Sequence, residues 1–331
     1  MQRFALIGAG FIGSVHAQNL HTNDGVDWRM VYDSDPIRAA AIADRYGVQV
    51  ANEESEVFDP REVDAVLIAS STDTHSRYLR LAADARLAIF CEKPIDASYE
   101  HASATVAYVL DRTIRVMVDF NRRFDRDYAE LRRIVMSGEI GDVELVQMSS
   151  RGPTMPPLEY LAVSGGQMRD QTVHFFDLVR WLTCLDPVDV FVKGSALVEP
   201  KIRTFGDVDT SIATLSLENG ALAQIDSVRR TAYGYDERIE VFGSQGMAQA
   251  RRQHDGNVSR YHGNRIDVDG MHAGWLDRVR PTYAAALDAF VRSLDGEHVE
   301  TPSLRDALKA QAIAESATMS LESGLSQVIQ Y

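Results

Sequence analysis

A glycine-rich segment at the start of the chain constrains the fold more than any other feature. An apolar run leads into a glycine motif and then into a helical pattern, over residues 4–7, Gly8-Ala9-Gly10-Phe11-Ile12-Gly13 and residues 11–21. In this G-x-G-x-x-G pattern, Gly8 allows a tight turn, Gly10 lets the backbone approach a pyrophosphate, and Gly13 lets the helix pack closely on the strand. The phosphates would lie at the helix N-terminus, beside the backbone of Phe11 and Ile12. Glycine triplets also arise by chance, so the assignment depends on the elements that follow.

The end of the second predicted strand supplies the next element. Residues 28–32 are apolar and β-rich, and the strand ends at Asp33. A carboxylate at this place binds a ribose 2'-hydroxyl and repels a 2'-phosphate, and no basic residue follows before Arg38. Asp33 could instead be a turn residue, and Asp35 before Pro36 is interpreted as a helix cap. We predict that Asp33 binds the ribose and that the cofactor is NAD rather than NADP.

Length and composition restrict the class of protein. A chain of 331 residues predicts about two domains, and 34 basic against 48 acidic residues give a net charge of −14. Such an acidic chain is a poor partner for a phosphate backbone, so no nucleic acid is expected. Cys91 and Cys184 lack the spacing of a metal site or a disulfide framework. With no signal peptide and no apolar run of about 18 residues, we expect a cytoplasmic protein with no membrane partner. No bound metal is expected either, because candidate ligands do not stand at a suggestive spacing.

The order of predicted elements divides the chain near residue 120. Strands and helices alternate up to that point, which is typical of a doubly wound parallel sheet, the α/β Rossmann fold. Strands with hairpin turns then dominate, with helices predicted over residues 128–137, 172–182, 283–294 and 304–323. We predict an NAD-binding domain over residues 1–120 and an α+β domain over 121–331 with a largely antiparallel open sheet. The C-terminal helices are free to pack back on the first domain, and residues 259–271 are the most loop-like.

Three residues form a plausible hydride-transfer site. Lys93 follows the fifth predicted strand, at the carboxyl edge of the sheet, where the nicotinamide would lie. Asp170 and His174 are four residues apart at the start of a predicted helix and share a face. His174 can take a hydroxyl proton, Asp170 can orient the imidazole, and Lys93 can stabilise negative charge on the substrate oxygen.

The same residues have less specific interpretations. A lone Glu-Lys-Pro is usually a solvated turn, and an aspartate at a helix start, such as Asp170, is often a cap. His174 lies on a helix that continues with mostly apolar residues, so it could belong to the core. Asp170 and His174 could also bind a metal, although no third ligand stands at a suggestive spacing. Spacing alone leaves these alternatives open.

Further motifs are spread over nearly the whole chain. Besides the glycine motif, they are Ser70-Ser71-Thr72-Asp73-Thr74-His75, Glu92-Lys93-Pro94, Phe120-Asn121-Arg122-Arg123-Phe124-Asp125, Ile140-Gly141, and Gly165-Gly166 followed by Asp170 and His174. Together they resemble the Gfo/Idh/MocA oxidoreductases, the relatives of glucose-fructose oxidoreductase and inositol dehydrogenase. The loop over residues 150–153 and Tyr233-Gly234-Tyr235-Asp236 make the chain most similar to the inositol 2-dehydrogenases within that family.

The resemblance implies roles for individual residues. Lys93 matches the family's catalytic lysine, which contacts both cofactor and substrate, and the Lys93-Pro94 peptide is expected to be cis. Asp170 and His174 match the acid/base pair. Positions that match cofactor contacts are Ser70, Thr72, His75 and Glu92, and positions that match polyol-binding residues are Arg122, Tyr235 and Tyr283. The two tyrosines could instead be half-buried aromatics with satisfied hydroxyls.

Several positions depart from the family pattern. Gly152 stands where Asp or Asn is common, and Ser71 where proline is frequent. Phe175 replaces a common acidic residue, Val279 a tyrosine and Ala286 a glutamate. Losing a polar contact from a site that binds hydroxyls changes discrimination between substrates by orders of magnitude. The chemistry is therefore expected to survive, while the identity of the inositol or sugar stays open.

The sequence thus predicts an NAD-dependent dehydrogenase that oxidises a secondary ring hydroxyl of a cyclic polyol or sugar to a ketone. Two alternatives remain. One is a non-redox sugar-processing enzyme of the glycosidase or epimerase type with tightly bound NAD, and the other is a catalytically silent dinucleotide-binding sensor. Strands over residues 211–229 carry apolar residues in both registers, such as Ile212, Leu215, Leu217 and Leu222. An open sheet face needs cover, so we expect a homo-oligomer, a tetramer as is usual in the family.

Overall fold

The computed structural model describes residues 1–331 and divides the chain into two compact units. The first unit comprises Met1–Phe124 and Pro281–Lys309, and the second comprises Asp125–Arg280 and Ala310–Tyr331. The stretch Pro281–Lys309, which the sequence-based division placed in the range 121–331, thus belongs to the first unit. No helix of the chain is both long and apolar enough to span a membrane.

The first unit is built on a six-stranded parallel sheet. Its strands are β1 Gln2–Ile7, β2 Val26–Tyr32, β3 Gln49–Val50, β4 Ala65–Ile68, β5 Ala88–Cys91 and β6 Val116–Val118. Their order is β3-β2-β1-β4-β5-β6, so the order reverses beside β1, where Ile7 lies opposite both Tyr32 and Ile68. Ligands of such sheets bind outside the carboxyl ends of the strands at this reversal. The predicted Rossmann fold is confirmed.

Helices cover this sheet and complete its core. They are α1 Phe11–Thr22, α2 Pro36–Tyr46, α3 Thr72–Asp84 and α4 Tyr99–Leu110, together with the parts of the later helices α8 Trp275–Leu294 and α9 Leu304–Ser323 that belong to this unit. Phe290 of α8 packs edge-on against Phe4 and Phe90, with ring centroids 6.2 Å and 5.6 Å apart. Ala286 and Leu287 belong to the same buried cluster. The C-terminal part of α8 is therefore a structural component of the first unit.

The second unit contains a seven-stranded sheet in the order β12-β11-β7-β10-β9-β8-β15. Its strands are β7 Val143–Arg151, β8 Pro187–Ser195, β9 Thr210–Leu217, β10 Leu222–Val228, β11 Asp236–Gly243, β12 Gly246–Ala250 and β15 Gln327–Val328. Only β7 and β10 pair in parallel. Its helices are α5 Arg126–Met136, α6 Leu158–Leu161 and α7 Val173–Thr183, with the remaining parts of α8 and α9. The predicted largely antiparallel sheet is confirmed.

Two regions differ from the sequence-based prediction, one at the start of a helix and one in a predicted loop. The helix predicted to begin at residue 283 begins at Trp275 and contains Pro281. Its turn before the proline is held by Arg278, whose guanidinium bonds Asp125 at 2.5 Å and lies over the ring of Tyr128. The loop-like residues 259–271 contain a hairpin, β13 Ser259–His262 with β14 Arg265–Val268. All eight residues of these strands are exposed, so burial of an apolar face did not mark them in the sequence.

Candidate active site

The glycine turn after β1 leaves no space for side chains at two positions. Gly8 has φ +100°, and a Cβ there would lie 2.5 Å from the carbonyl oxygen of Ala69. A Cβ on Gly13 would lie 2.1 Å from the carbonyl oxygen of Gly8, so only glycine allows α1 to pack this closely on β1. Gly10 faces open space, and α1 begins there without a side-chain cap or an acidic residue in its first turn. Open space at the N-terminus of a helix fits a pyrophosphate.

Asp33 lies directly after β2 and is fixed by backbone donors. Its two carboxylate oxygens accept hydrogen bonds from the N–H groups of Ala9 at 2.6 Å and Asp35 at 2.8 Å. Asp35 caps α2 by accepting from the N–H of Ile37, which confirms the cap interpretation. Asp35 also forms an ion pair with Arg38 at 3.2 Å, so this basic residue is engaged outside the Asp33 carboxylate. The arrangement fits a ribose and leaves a 2'-phosphate facing a carboxylate.

This geometry leads to a prediction on cofactor choice. We expect kcat/KM with NAD to exceed that with NADP at least about tenfold, equivalent to about 1.4 kcal/mol, because Asp33 repels the 2'-phosphate. Asp33→Ala should reduce the ratio, measured with both cofactors under saturating substrate. Asp44→Ala removes an exposed carboxylate farther along α2, and it should leave the ratio unchanged. Equal efficiency of the wild-type protein with both cofactors would refute the role given to Asp33.

The turn that carries Lys93 is held from several sides. The Lys93-Pro94 peptide is cis, as expected. The N–H of Lys93 donates to Glu92 Oε2 at 3.2 Å, and the ring of buried His75 lies between the carbonyl oxygens of Pro94, at 2.7 Å, and Ser70, at 3.1 Å. Glu92 and His75 therefore support this turn through their own side chains. A direct contact of either residue with the nicotinamide stays a prediction, as do those of Ser70 and Thr72.

A buried polar cluster that the sequence reasoning missed lies behind this turn. His16 Nε2 is 2.9 Å from Glu92 Oε1 and 3.6 Å from Asp119 Oδ2, and the imidazole packs edge-on against Phe90 and Tyr283. Burial, together with the Glu92 carboxylate, raises the pKa of Asp119 well above its usual range. Burial alone would also raise the pKa of Glu92, but the hydrogen bond and charge of His16 outweigh it and leave that pKa lowered. The side chains of His16, Glu92 and Asp119 are close enough together to surround one cation. The 2.9 Å distance between His16 and Glu92, however, is that of a direct hydrogen bond between the two side chains.

The raised pKa of Asp119 predicts a pH-dependent stability. As the pH rises above about 4, the unfolded chain releases this proton while the folded chain retains it, so stability is lost until the pH passes the folded-state pKa. Asp119→Asn has no proton to release. Its Tm should therefore exceed that of the wild-type protein by an amount that grows as the pH rises above about 4, measured by thermal unfolding.

The matched control for this change is Asp73→Asn, because Asp73 is exposed in the first turn of α3. Its Tm should follow that of the wild-type protein at each pH. A constant Tm difference between Asp119→Asn and the wild-type protein at every pH would show that Asp119 is not protonated in the fold.

The second unit places Asp170 and His174 in one continuous helical run. Asp170 lies in a π-helical turn, Met168–Thr172, and His174 lies in α7, which follows it directly. Asp170 accepts a hydrogen bond from the hydroxyl of Tyr160 at 2.7 Å, and it forms an ion pair with Arg229 at 3.2 Å. Asp170 is thus inside the helical run and bound by side chains, so the interpretation as a simple cap is wrong. π-turns within helices occur frequently at functional sites.

The three candidate polyol-binding residues are buried and differ in their surroundings. Arg122, in the first unit, donates to Asn121 Oδ1 at 3.0 Å, and Tyr283 packs against the His16 ring in the same unit. The hydroxyl of Tyr235, in the second unit, donates to Glu237. This bond satisfies the Tyr235 hydroxyl, as expected if Tyr235 is a structural aromatic residue rather than a substrate contact. Contact of these residues with substrate stays a prediction.

Four of the five positions that depart from the family pattern are apolar or tightly packed, whereas the fifth, Ser71, is exposed. Phe175, Val279 and Ala286 are buried, and Ala286 belongs to the core of the first unit. A Cβ on Gly152 would lie 3.2 Å from the carbonyl oxygen of Arg229. Each of these four departures therefore replaces a polar side chain of the family pattern by apolar packing or by no side chain.

Comparison with known proteins gives matches along both units. Residues 2–120 match the model of the oxidoreductase family, NAD-binding Rossmann fold, and residues 128–249 match that of the GFO/IDH/MocA C-terminal domain. The chain is 37% identical over 319 residues to the inositol 2-dehydrogenase of Rhizobium meliloti, covering 96% of each chain. It is 35% identical over 326 residues to the myo-inositol 2-dehydrogenase of Thermotoga maritima, covering 97% of this chain and 96% of the other. A crystal structure of a myo-inositol dehydrogenase from Corynebacterium glutamicum is similar with a TM-score of 0.93 and 32% identity, covering 100% and 99% of the two chains.

Proposed function

The chain belongs to the Gfo/Idh/MocA oxidoreductase family, and we propose from this premise that it oxidises a secondary ring hydroxyl of an inositol-like cyclic polyol to a ketone, with NAD as the hydride acceptor. One observation carries the substrate class: proteins named inositol 2-dehydrogenases match this chain over nearly its full length at 35% to 37% identity. The Rossmann unit with its open glycine turn supports the cofactor, since that turn fits a pyrophosphate.

The first unit supplies the residues proposed to hold the cofactor. Backbone N–H groups at the start of α1 would bind the pyrophosphate, with Gly8, Gly10 and Gly13 giving the close approach that this requires. Asp33 would bind the adenosine ribose. The residues proposed for the nicotinamide half follow β4 or β5, either in the connecting turns or at the start of α3, and they are Ser70, Thr72, His75, Glu92 and Lys93. NAD, when bound, supplies the hydride-accepting chemistry that no amino-acid side chain provides.

The proposed chemical step uses one residue of the first unit and two of the second. His174 takes the proton of the substrate hydroxyl on an imidazole nitrogen while the carbon loses its hydride and the C=O bond forms. Asp170, held in place by Arg229 and Tyr160, orients the imidazole and stabilises the imidazolium that results. Lys93 donates a hydrogen bond to the substrate oxygen and stabilises the negative charge that develops there. Arg122, Tyr235 and Tyr283 are proposed to bind further hydroxyls.

The test is to assay NADH formation by the purified protein with a panel of inositol stereoisomers and aldoses. We expect sustained NADH release with at least one cyclic polyol. Conversion of a sugar without net NADH would instead identify a non-redox enzyme that reoxidises its bound cofactor within each cycle. Binding of NAD without turnover of any compound would identify a sensor. Either of these last two results would refute the proposed dehydrogenase.

We further propose a homotetramer that forms through the open face of the second unit's sheet, in the cytoplasm, where nicotinamide dinucleotides are available. The two registers of its strands lie on opposite faces, because Leu215 and Leu217 are buried whereas Ile212 and Leu222 are 46% and 47% exposed. Phe242 on β11 is similarly exposed. An open face with apolar residues on several adjacent strands is typical of an interface between copies.

Light scattering should therefore give four times the 36.8 kDa chain mass at micromolar concentration. Ile212→Glu places a charge on the apolar face and should produce smaller species. Val163→Glu changes an exposed apolar residue outside the sheet and should leave the mass unchanged. A wild-type monomer of 36.8 kDa would contradict the oligomer.

A further inference from the structure

Arg229 is a buried cation that bridges two carboxylates of the second unit. It follows β10 directly, and its side chain is only 2% exposed. One guanidinium nitrogen, Nη1, lies 3.2 Å from Asp170 Oδ2, and the other, Nη2, lies 3.2 Å from Asp207 Oδ2. The fork geometry of arginine suits such bridging, which a lysine point charge does not reproduce.

The other end of the bridge is anchored to the backbone. Asp207 Oδ1 accepts hydrogen bonds from the N–H groups of Gln167 at 2.7 Å and Val208 at 2.8 Å. The backbone N–H of Arg229 donates to the carbonyl oxygen of Asp209 at 2.8 Å. Arg229 is therefore held in place by groups that do not include Asp170. A guanidinium fixed in this way determines where one oxygen of Asp170 lies.

The second oxygen of Asp170 is determined by a separate donor. The hydroxyl of Tyr160, in α6, donates to Asp170 Oδ1 at 2.7 Å. The other nearby cation, Arg169, is engaged by Glu315 through bonds of 2.8 Å and 2.6 Å. Tyr160 and Arg229, with Asp207 behind Arg229, therefore hold the two carboxylate oxygens of Asp170.

We infer that Arg229 is a positioning residue that fixes the side chain of Asp170, and that its buried positive charge sets the pH at which His174 becomes a base. The inference rests on the proposed function, because it gives Asp170 and His174 their roles in proton transfer. Asp170 stabilises a protonated His174, and the positive charge of Arg229 offsets part of that stabilisation. Arg229 therefore makes the neutral, proton-accepting imidazole available at lower pH.

This role predicts that loss of Arg229 and loss of Asp207 affect the titration of His174 differently. Loss of Arg229 leaves His174 in a more negative environment, so the imidazole should hold its proton to higher pH. Loss of the Asp207 charge leaves Arg229 paired with Asp170 alone, so the titration midpoint of His174 should stay the same or fall. A purely structural Arg229 would lower stability without moving this midpoint.

The experiment compares Asp207→Asn with the double variant Asp207→Asn/Arg229→Gln. Removing Arg229 alone would leave two unpaired carboxylates in a buried site and could unfold the protein, whereas the double variant avoids this. The His174 resonance of protein with labelled histidines is followed through a pH titration and assigned among the nine histidines with His174→Gln. We expect its midpoint to lie about one pH unit higher in the double variant than in Asp207→Asn.

Turnover provides the second measurement. The acidic limb of the pH profile of kcat/KM should move upward by a similar amount, and kcat should fall about 10-fold to 100-fold because Asp170 loses its fixed orientation. Arg169→Gln removes the same charge from the neighbouring position and should change the midpoint by much less. Equal midpoints in Asp207→Asn and the double variant would overturn the inference. If the wild-type protein oxidises no polyol, the proposed function fails, while the titration of His174 still tests Arg229.

Discussion

Replacement of His174 by alanine is expected to lower kcat for polyol oxidation by about 10²-fold to 10⁴-fold, the usual contribution of a positioned general base. The imidazole lies in the first turn of α7, directly after the π-helical turn that holds Asp170. Without the imidazole, the proposed acceptor of the hydroxyl proton is lost. The effect is measured as NADH formation at saturating polyol and NAD. Affinity for NAD should be nearly unchanged, because the residues proposed to hold the cofactor belong to the first unit.

The pH profile provides an independent check on this role. The oxidation rate of the wild-type protein should rise with pH as the proposed general base loses its proton. This rise should disappear in His174→Ala. The matched control is His262→Ala, since His262 is exposed on the β13–β14 hairpin and should tolerate the change. Wild-type turnover by folded His174→Ala would show that the histidine only packs the core.

Loss of the Lys93 side chain is expected to be at least as damaging as loss of His174. Lys93→Ala removes the positive charge proposed to stabilise the developing oxyanion, and this type of interaction is often the largest single contribution to catalysis. The chain has only four lysines, of which Lys93 is one, and arginine supplies most of its positive charges. An ammonium is a compact donor that one oxygen can accept, whereas a guanidinium spreads its donors over a planar fork.

The size of this loss is measured as kcat/KM for the polyol, together with NAD affinity and thermal stability. Lys93→Arg keeps the charge but changes its shape, so partial activity is expected. Lys201→Ala alters an exposed lysine in a short 3₁₀ helix of the second unit and serves as the control. Full activity of Lys93→Ala on a confirmed substrate would exclude the lysine from the chemical step.

The features that could be predicted from the sequence depend on local backbone geometry. Gly8 and Gly13 are required because a single Cβ would collide with neighbouring backbone, and such requirements leave a fixed spacing in the sequence. The cap at Asp35 likewise follows from a short-range contact with Ile37. The Rossmann unit could be predicted because alternating strands and helices have one common solution.

The features that escaped prediction depend on long-range contacts between polar residues. Asp119 lies more than a hundred residues from His16, and Arg229 lies about sixty residues from Asp170, so no spacing rule connects them. The predicted start of α8, at residue 283, is also wrong, because helix propensity favours a helix boundary near Pro281. A tertiary ion pair between Arg278 and Asp125 overrides that propensity.

The return of the chain into the first unit at Pro281 determines the order in which the protein can fold during translation. Domains generally fold in the order of their synthesis, with the N-terminal one first. Here Phe290, which packs between Phe4 and Phe90, leaves the ribosome only near the end of synthesis. The nucleotide-binding unit therefore exposes part of its core to the cell while nearly the whole second unit is made. The first unit cannot close before residue 309 is made, and the second, which ends at Tyr331, is completed later still, so neither unit is whole until synthesis is nearly over.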